Sequence, residues 1–269
     1  MAERVQKLLS KWGIASRRQA EQMILDGRVR LNGSIVSLGQ TADPSCDRID
    51  VDGTPLESHQ RPQPIYILLH KPAGVVTTCD DPWNRTTVLD LLPHHLSHGT
   101  GLHPVGRLDA ESTGALVLTN DGSLTFHLTH PSHTIPKTYQ VWVEGCLSQS
   151  TLQKWRDGVV LSGRRTQAAQ VRVLDHQRYP AHRTQLEIIL QEGRNRQIRR
   201  IAEQLGHPVI HLHRTAIGAI ALHPLPEGHH RQLTHRELDS LHPSSNHRTN
   251  HPTDHPTDRH LPLHRVRTR

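Results

Sequence analysis

From Ile65 onward the chain is a succession of short apolar segments, which limits this region to a sheet with small helices laid against it. IYILLHKP, GALVLTND, TYQVWVEG, AQVRVL and TQLEIIL are too short for core helices, are rich in Val, Ile, Leu and Tyr, and are bounded by polar or turn-forming residues. Helical patterns lie among them at VLDLL, SLTFHLTH and TLQKWRD. The order predicts an α+β fold with a mixed, mainly antiparallel sheet. A chain of 269 residues has room for about two domains, each with its own core.

The N-terminal part has a different pattern. Val5, Leu8, Leu9 and Trp12 recur at helical spacing. Ser16 and Gln19 then form a capping-box pattern ahead of a second helix whose Ala20, Met23 and Ile24 share a face, with Gly27 at its end. RVRLNGSIV alternates about Asn32-Gly33, a dipeptide that takes the positive φ values of a tight hairpin. In DRIDVDG, Ile49 and Val51 alternate with acids, and Ser58 to Pro64 has linker composition. The expected units are therefore a small helix-helix-hairpin domain at 1–60 and a larger domain at 64–241. Residues 242–269 are rich in Pro, His and Thr with a doubled HPTD, and hold too few apolar groups to offset ordering entropy, so a disordered tail is expected.

A formal charge of +7 favours a polyanionic partner, nucleic acid ahead of an anionic membrane, although a merely solvated basic surface fits the same number. Arg17 and Arg18 fall in the first turn of the second helix, where cations oppose the helix dipole; phosphate contact would explain them. Cys46, Cys79 and Cys146 supply neither a disulfide framework nor zinc spacing, which fits a reducing, cytoplasmic compartment. The N-terminus lacks the apolar core of a signal peptide and no run is long enough to span a bilayer, so a soluble protein without a membrane partner is expected.

Chemistry-bearing residues concentrate in three segments. HPVGRLDAESTGALVLTNDG places Asp109 after a turn at Gly106 and before a strand; alone, Asp109 is equally a solvated carboxylate or, with Glu111, half of a glycosidase pair. PKTYQVWVEG alternates so that Tyr139, Val141 and Val143 face inward. EGRNRQIRRIAEQLGH, residues 192 to 207, reads as a helix with Ile198, Ile201, Ala202 and Leu205 on its buried stripe. On that wheel Arg199 flanks the stripe and can reach an internal carboxylate, whereas Arg196 and Arg200 project from the opposite side toward RNA.

The stretch from Arg4 to Gly33, centred on GIASRRQAEQMILDGRVRLNG, resembles S4-type RNA-binding domains, with Leu31 where Val is common. That resemblance implies that Ser16, Arg17, Arg18, Arg28 and Asn32 face structured RNA. VGRLDAESTG, the KTY strand, EGRNRQIRRIAEQLG and LHRTAIGAI, in that order, resemble the pseudouridine synthases of the branch that modifies small-subunit and large-subunit ribosomal RNA. Ala115 and Ile201 stand where Leu and Met are frequent. The resemblance implies conversion of a uridine to pseudouridine with no cofactor or metal. Asp109 would be the essential carboxylate, Arg199 its partner, and Tyr139 a stacking platform and proton carrier. Leu212 would wall the base pocket, Arg107 would fill the stack vacated by the flipped base, and Arg194, Arg196 and Arg200 would contact RNA. Large-subunit 23S RNA is the expected substrate, free or within an assembling ribosome, and the expected state is a monomer. Small-subunit 16S RNA and a noncatalytic ribosome-assembly factor are the alternatives. Glycoside hydrolysis would want sugar-stacking aromatics, and the chain has four Trp, three Tyr and one Phe.

Overall fold

The computed structural model describes residues 2–57, 61–178 and 181–241. The expected disordered tail at 242–269 and linker residues 58–60 lie outside the described residues. No helix among the described residues is long and apolar enough to cross a membrane.

The N-terminal unit follows its local signals. Helices Val5–Lys11 and Arg17–Leu25 are joined through Ser16, whose hydroxyl accepts from the Gln19 amide at 3.3 Å while the Gln19 side chain accepts from the Ser16 amide at 3.0 Å. Asn32 and Gly33, at φ 51 and 86, close the hairpin between Val29–Leu31 and Ser34–Ile35, and Ile49–Val51 and Thr54–Pro55 complete a four-stranded antiparallel sheet. Val5, Leu8, Leu9, Ala20, Ile24, Val29 and Ile49 form a separate core beneath it.

The rest is built on a nine-stranded sheet. Its main path runs Gln170–Gln177, Arg183–Leu190, Lys137–Glu144, Val209–Ile217, Thr113–Thr119, Tyr66–Lys71, His230–Gln232. Every pairing in it is antiparallel except that of Val209–Ile217 with Thr113–Thr119, where His213 lies beside Thr113 and Arg214 beside Gly114. This joint depends on Gly114, at φ +112, because a Cβ there would lie 2.2 Å from the Arg214 carbonyl oxygen. The joint sets the loop preceding Thr113 against the strand that carries Leu212 and Arg214. On one face of the sheet Val141, Val143, Leu186 and Ile188 pack with Leu152 and Trp155 of helix Gln149–Asp157 and with Ile198, Ile201 and Ala202 of helix Gln197–Gln204. Each buried Val, Leu or Ile side chain there stabilises the fold by about 1.5–3 kcal/mol relative to exposure.

Two expected helices change. VLDLL is a run of turns, because the Asp90 carboxylate takes both the amide and the hydroxyl of Thr87, at 2.7 and 2.9 Å, and its apolar Val88 and Leu92 are buried from turns instead. The helix expected from Glu192 begins only at Gln197. Glu192 accepts from the amide of Gln167 and from the side chains of Arg194 and Gln197, which draws residues 192–196 into a tied loop with Arg196 in the left-handed region at φ 49.

Candidate active site

Asp109 sits in the loop between His103–Pro104 and Thr113–Thr119, and this loop is clamped from several sides. Gly106, at φ 72, turns the chain; the Ser112 amide donates back to the Asp109 carbonyl at 3.0 Å. The Thr77 hydroxyl donates to the Leu108 carbonyl at 2.7 Å and accepts from the Leu108 amide at 3.3 Å. Lys71, fully buried, donates its ammonium to the carbonyls of Pro72, Ala110 and Ser112 at 2.8, 3.2 and 2.9 Å. A loop held through its own backbone presents one side chain in a fixed place.

That side chain borders a cavity of about 490 Å³ whose wall also includes Arg107, Tyr139, Arg194, Arg196, Arg199 and Leu212. The sequence-predicted catalytic and base-pocket residues therefore share one cavity. Tyr139 reaches it from strand Lys137–Glu144 and packs against the core, Leu212 is buried in the neighbouring strand, and Arg107 is exposed at the cavity wall.

The charged cluster is larger than an Asp-Arg pair. Arg199 Nε lies 3.9 Å from Asp109 Oδ2 and 3.5 Å from Glu111 Oε1, while its Nη2 donates to the buried Ser112 hydroxyl at 3.1 Å. Arg196 Nη1 lies 2.5 Å from Glu111 and 3.4 Å from Asp109. The wheel reading that sent Arg196 away from the carboxylates is thus corrected: Arg196 precedes the helix, and its left-handed backbone turns it toward them. The hydrogen bond from Arg196 holds the Glu111 carboxyl below its ordinary range despite some burial. Burial lowers Arg199, and the charge of Glu111 partly offsets this. Arg199 side-chain exposure is 13% against 42% for Arg196, so the Arg199 ion pairs are the less screened.

Several residues assigned to RNA have partners within the chain. Arg194 binds Glu192 and the carbonyls of Arg164 and Arg165, and Arg200 binds the Ser162 hydroxyl at 2.8 Å. Arg28 forms a paired contact with Asp52, and the Asn32 side chain joins Asp47 to the Arg48 amide. Arg17 and Arg18 are exposed, and Ser16 spends its hydroxyl on the helix cap.

Lys71, Thr77 and Ser112 were not singled out by the sequence; the only signal for Lys71 was a charge ending an apolar strand. Burial pushes the Lys71 ammonium down to about 8, against the pull of Asp109 and Glu111. From the ordinary value of 10.5 down to about 8, the unfolded chain binds more protons at this group than the folded one. The contribution of Lys71 to stability therefore rises with pH across that window and is level below about 8, where both states carry the proton. In urea titrations between pH 7.5 and 10.5, the wild-type protein is expected to gain more stability with pH than Lys71→Met. Parallel curves would remove this linkage.

A backbone-clamped carboxylate beside a half-buried arginine and tyrosine and a buried leucine, on a chain with a second small folded unit, is the arrangement of an enzyme site in the larger unit. The family model of RNA pseudouridylate synthases matches residues 65–204 and that of the S4 domain matches residues 3–49, and the chain belongs to the RNA pseudouridylate synthase family. It is 39% identical over 243 residues to an uncharacterized RNA pseudouridine synthase of Aquifex aeolicus (strain VF5), covering 90% of this chain and 94% of that protein. It is 36% identical over 245 residues to the ribosomal large subunit pseudouridine synthase B of Bacillus subtilis (strain 168), covering 91% and 98%. A crystal structure of a pseudouridylate synthase superposes with a TM-score of 0.63 at 30% identity, over 88% of this chain and 99% of that one.

Proposed function

We propose that the protein converts a specific uridine of large-subunit ribosomal RNA to pseudouridine, with Asp109 as the reacting carboxylate. The observation that carries this reading is the convergence of Asp109, Arg199, Tyr139 and Leu212 on one cavity. The reaction breaks N1–C1′, turns the base and joins C1′ to C5, so it needs a carboxylate that attacks carbon or takes a sugar proton and a pocket that keeps the detached base. Arg199 holds Asp109 aimed into the cavity, Tyr139 stacks on the base, Leu212 walls it, and exposed Arg107 fills the gap left in the RNA stack. The relative named for the large subunit supports that choice of RNA. The enzyme acts as a monomer in the cytoplasm, and its three exposed free cysteines fit a reducing compartment. Pseudouridine maps of both ribosomal RNAs from cells with and without the protein test the reading. Loss of a large-subunit pseudouridine is expected; a loss confined to the small subunit moves the substrate, and no loss rejects the function.

The S4 module docks the RNA through Arg17 and Arg18. Replacing both with glutamine is expected to weaken binding in low salt and to flatten the dependence of log K on log salt by about 0.7 to 0.9 for each phosphate no longer neutralised. An unchanged slope would place the docking surface elsewhere.

A further inference from the structure

The cavity wall holds positive charge that its carboxylates do not offset. Lys137 and Arg214 line it on neighbouring strands: Arg214 lies opposite Tyr139, and Lys137 is two residues before Tyr139, on the same face of the sheet. A bulge at Thr215 puts both Arg214 and Ile217 on the cavity face, which a regular strand could not do for residues three apart. Arg214 is 5% exposed; its Nε donates to the Ala115 carbonyl at 2.6 Å, and its buried Nη2 has no hydrogen-bond partner among the described residues. Lys137 has no ion pair or side-chain hydrogen bond among the described residues, and burial followed by the charge of Arg214 pushes its pKa down. Asp109 and Glu111 are meanwhile engaged by Arg196 and Arg199. Two cations kept together without an anion are costly, and a substrate that brings negative charge to this wall repays the cost.

Isomerisation creates such a charge. When N1–C1′ breaks, both bonding electrons stay on N1, and the uracil becomes an anion with its charge spread over N1, O2 and O4. Asp109 balances the sugar either by bonding to C1′ or by taking a proton from C2′. When C5 then bonds to C1′, either the Asp109–C1′ bond breaks or Asp109 returns its proton to C2′; the C5 proton leaves and N1 gains a proton, so the product is neutral and nothing is consumed. We propose that Lys137 and Arg214 hold the uracil anion while it is detached from the ribose. The proposal rests on the cavity being the site of uridine isomerisation. Phosphate is the competing anion, but exposed Arg107 is better placed for the RNA backbone than two cations beside the stacking tyrosine.

The test uses the full chain and ribosomal RNA carrying the target uridine, with single-turnover rate and RNA Kd measured separately. Lys137→Met is expected to slow the chemical step about a hundredfold while Kd stays within about threefold. Lys137→Arg recovers most of the rate, and ethylammonium partly restores Lys137→Ala where sodium chloride at equal ionic strength does not. Arg214→Gln keeps a donor for Ala115 and should show the same split; Arg214→Lys is read in its place if the glutamine variant melts early. A wild-type rate in Lys137→Met overturns the proposal. So does a loss confined to Kd with a shallower salt dependence, which assigns Lys137 to phosphate; a folded Arg214 variant at full rate removes Arg214. A wild-type chain without turnover instead sinks the underlying reading, so the two failures are distinguishable.

Discussion

Asp109→Ala is expected to lower uridine conversion on the order of a thousandfold or more while leaving RNA affinity within about threefold. The loop does not depend on this carboxylate for its shape. Lys71, Thr77 and the Ser112 amide grip backbone atoms of Leu108, Asp109, Ala110 and Ser112, so the alanine variant keeps the cavity and loses one functional group. Glu111→Ala is the matched control, because Glu111 shares both arginines but is not among the residues lining the cavity. It should retain far more activity. Tritium release or chemical mapping of pseudouridine reads both variants, and filter binding reads affinity. Normal turnover by Asp109→Ala would end the mechanism, and an equal collapse of Glu111→Ala would shift attention to the carboxylate pair.

The second large effect is expected from the arginines. Arg199→Ala should reduce the chemical step about a hundredfold, because it leaves Asp109 and Glu111 facing one another with only the more exposed Arg196 between them. Arg196→Ala should cost about tenfold, since its ion pairs are better screened by water and salt. The double variant should depart from the product of the single effects, because both cations share the same carboxylates. Additive losses would show that the arginines act at separate places. A loss in Kd equal to the loss in rate would reassign Arg199 to phosphate binding.

Features that depend on neighbours in the chain were legible before the fold. The Ser16 capping box, the Asn32-Gly33 hairpin and the alternation in KTYQVWVE all appear where periodicity and turn chemistry place them. The role proposed for Asp109 comes only from the order of four motifs. Its local setting, a loop carboxylate near a second acid, fits several chemistries. Strand Val209–Ile217 was less visible, because His211 and His213 interrupt its apolar run on the side away from Leu212. Arg196 was misplaced because a helical wheel assumes helical backbone, and one left-handed residue breaks that assumption.

The sequence by itself determined which residue types are available to line the cavity and most of the local elements that carry them, since spacing and turn chemistry act within a few residues. Tertiary structure alone decided the rest. The parallel joint at Gly114, the bulge at Thr215 and the burial of Lys71 bring together groups tens of residues apart. Ion pairing and desolvation depend on distance and on exclusion of water, and both are set only when the strands have taken their order in the sheet.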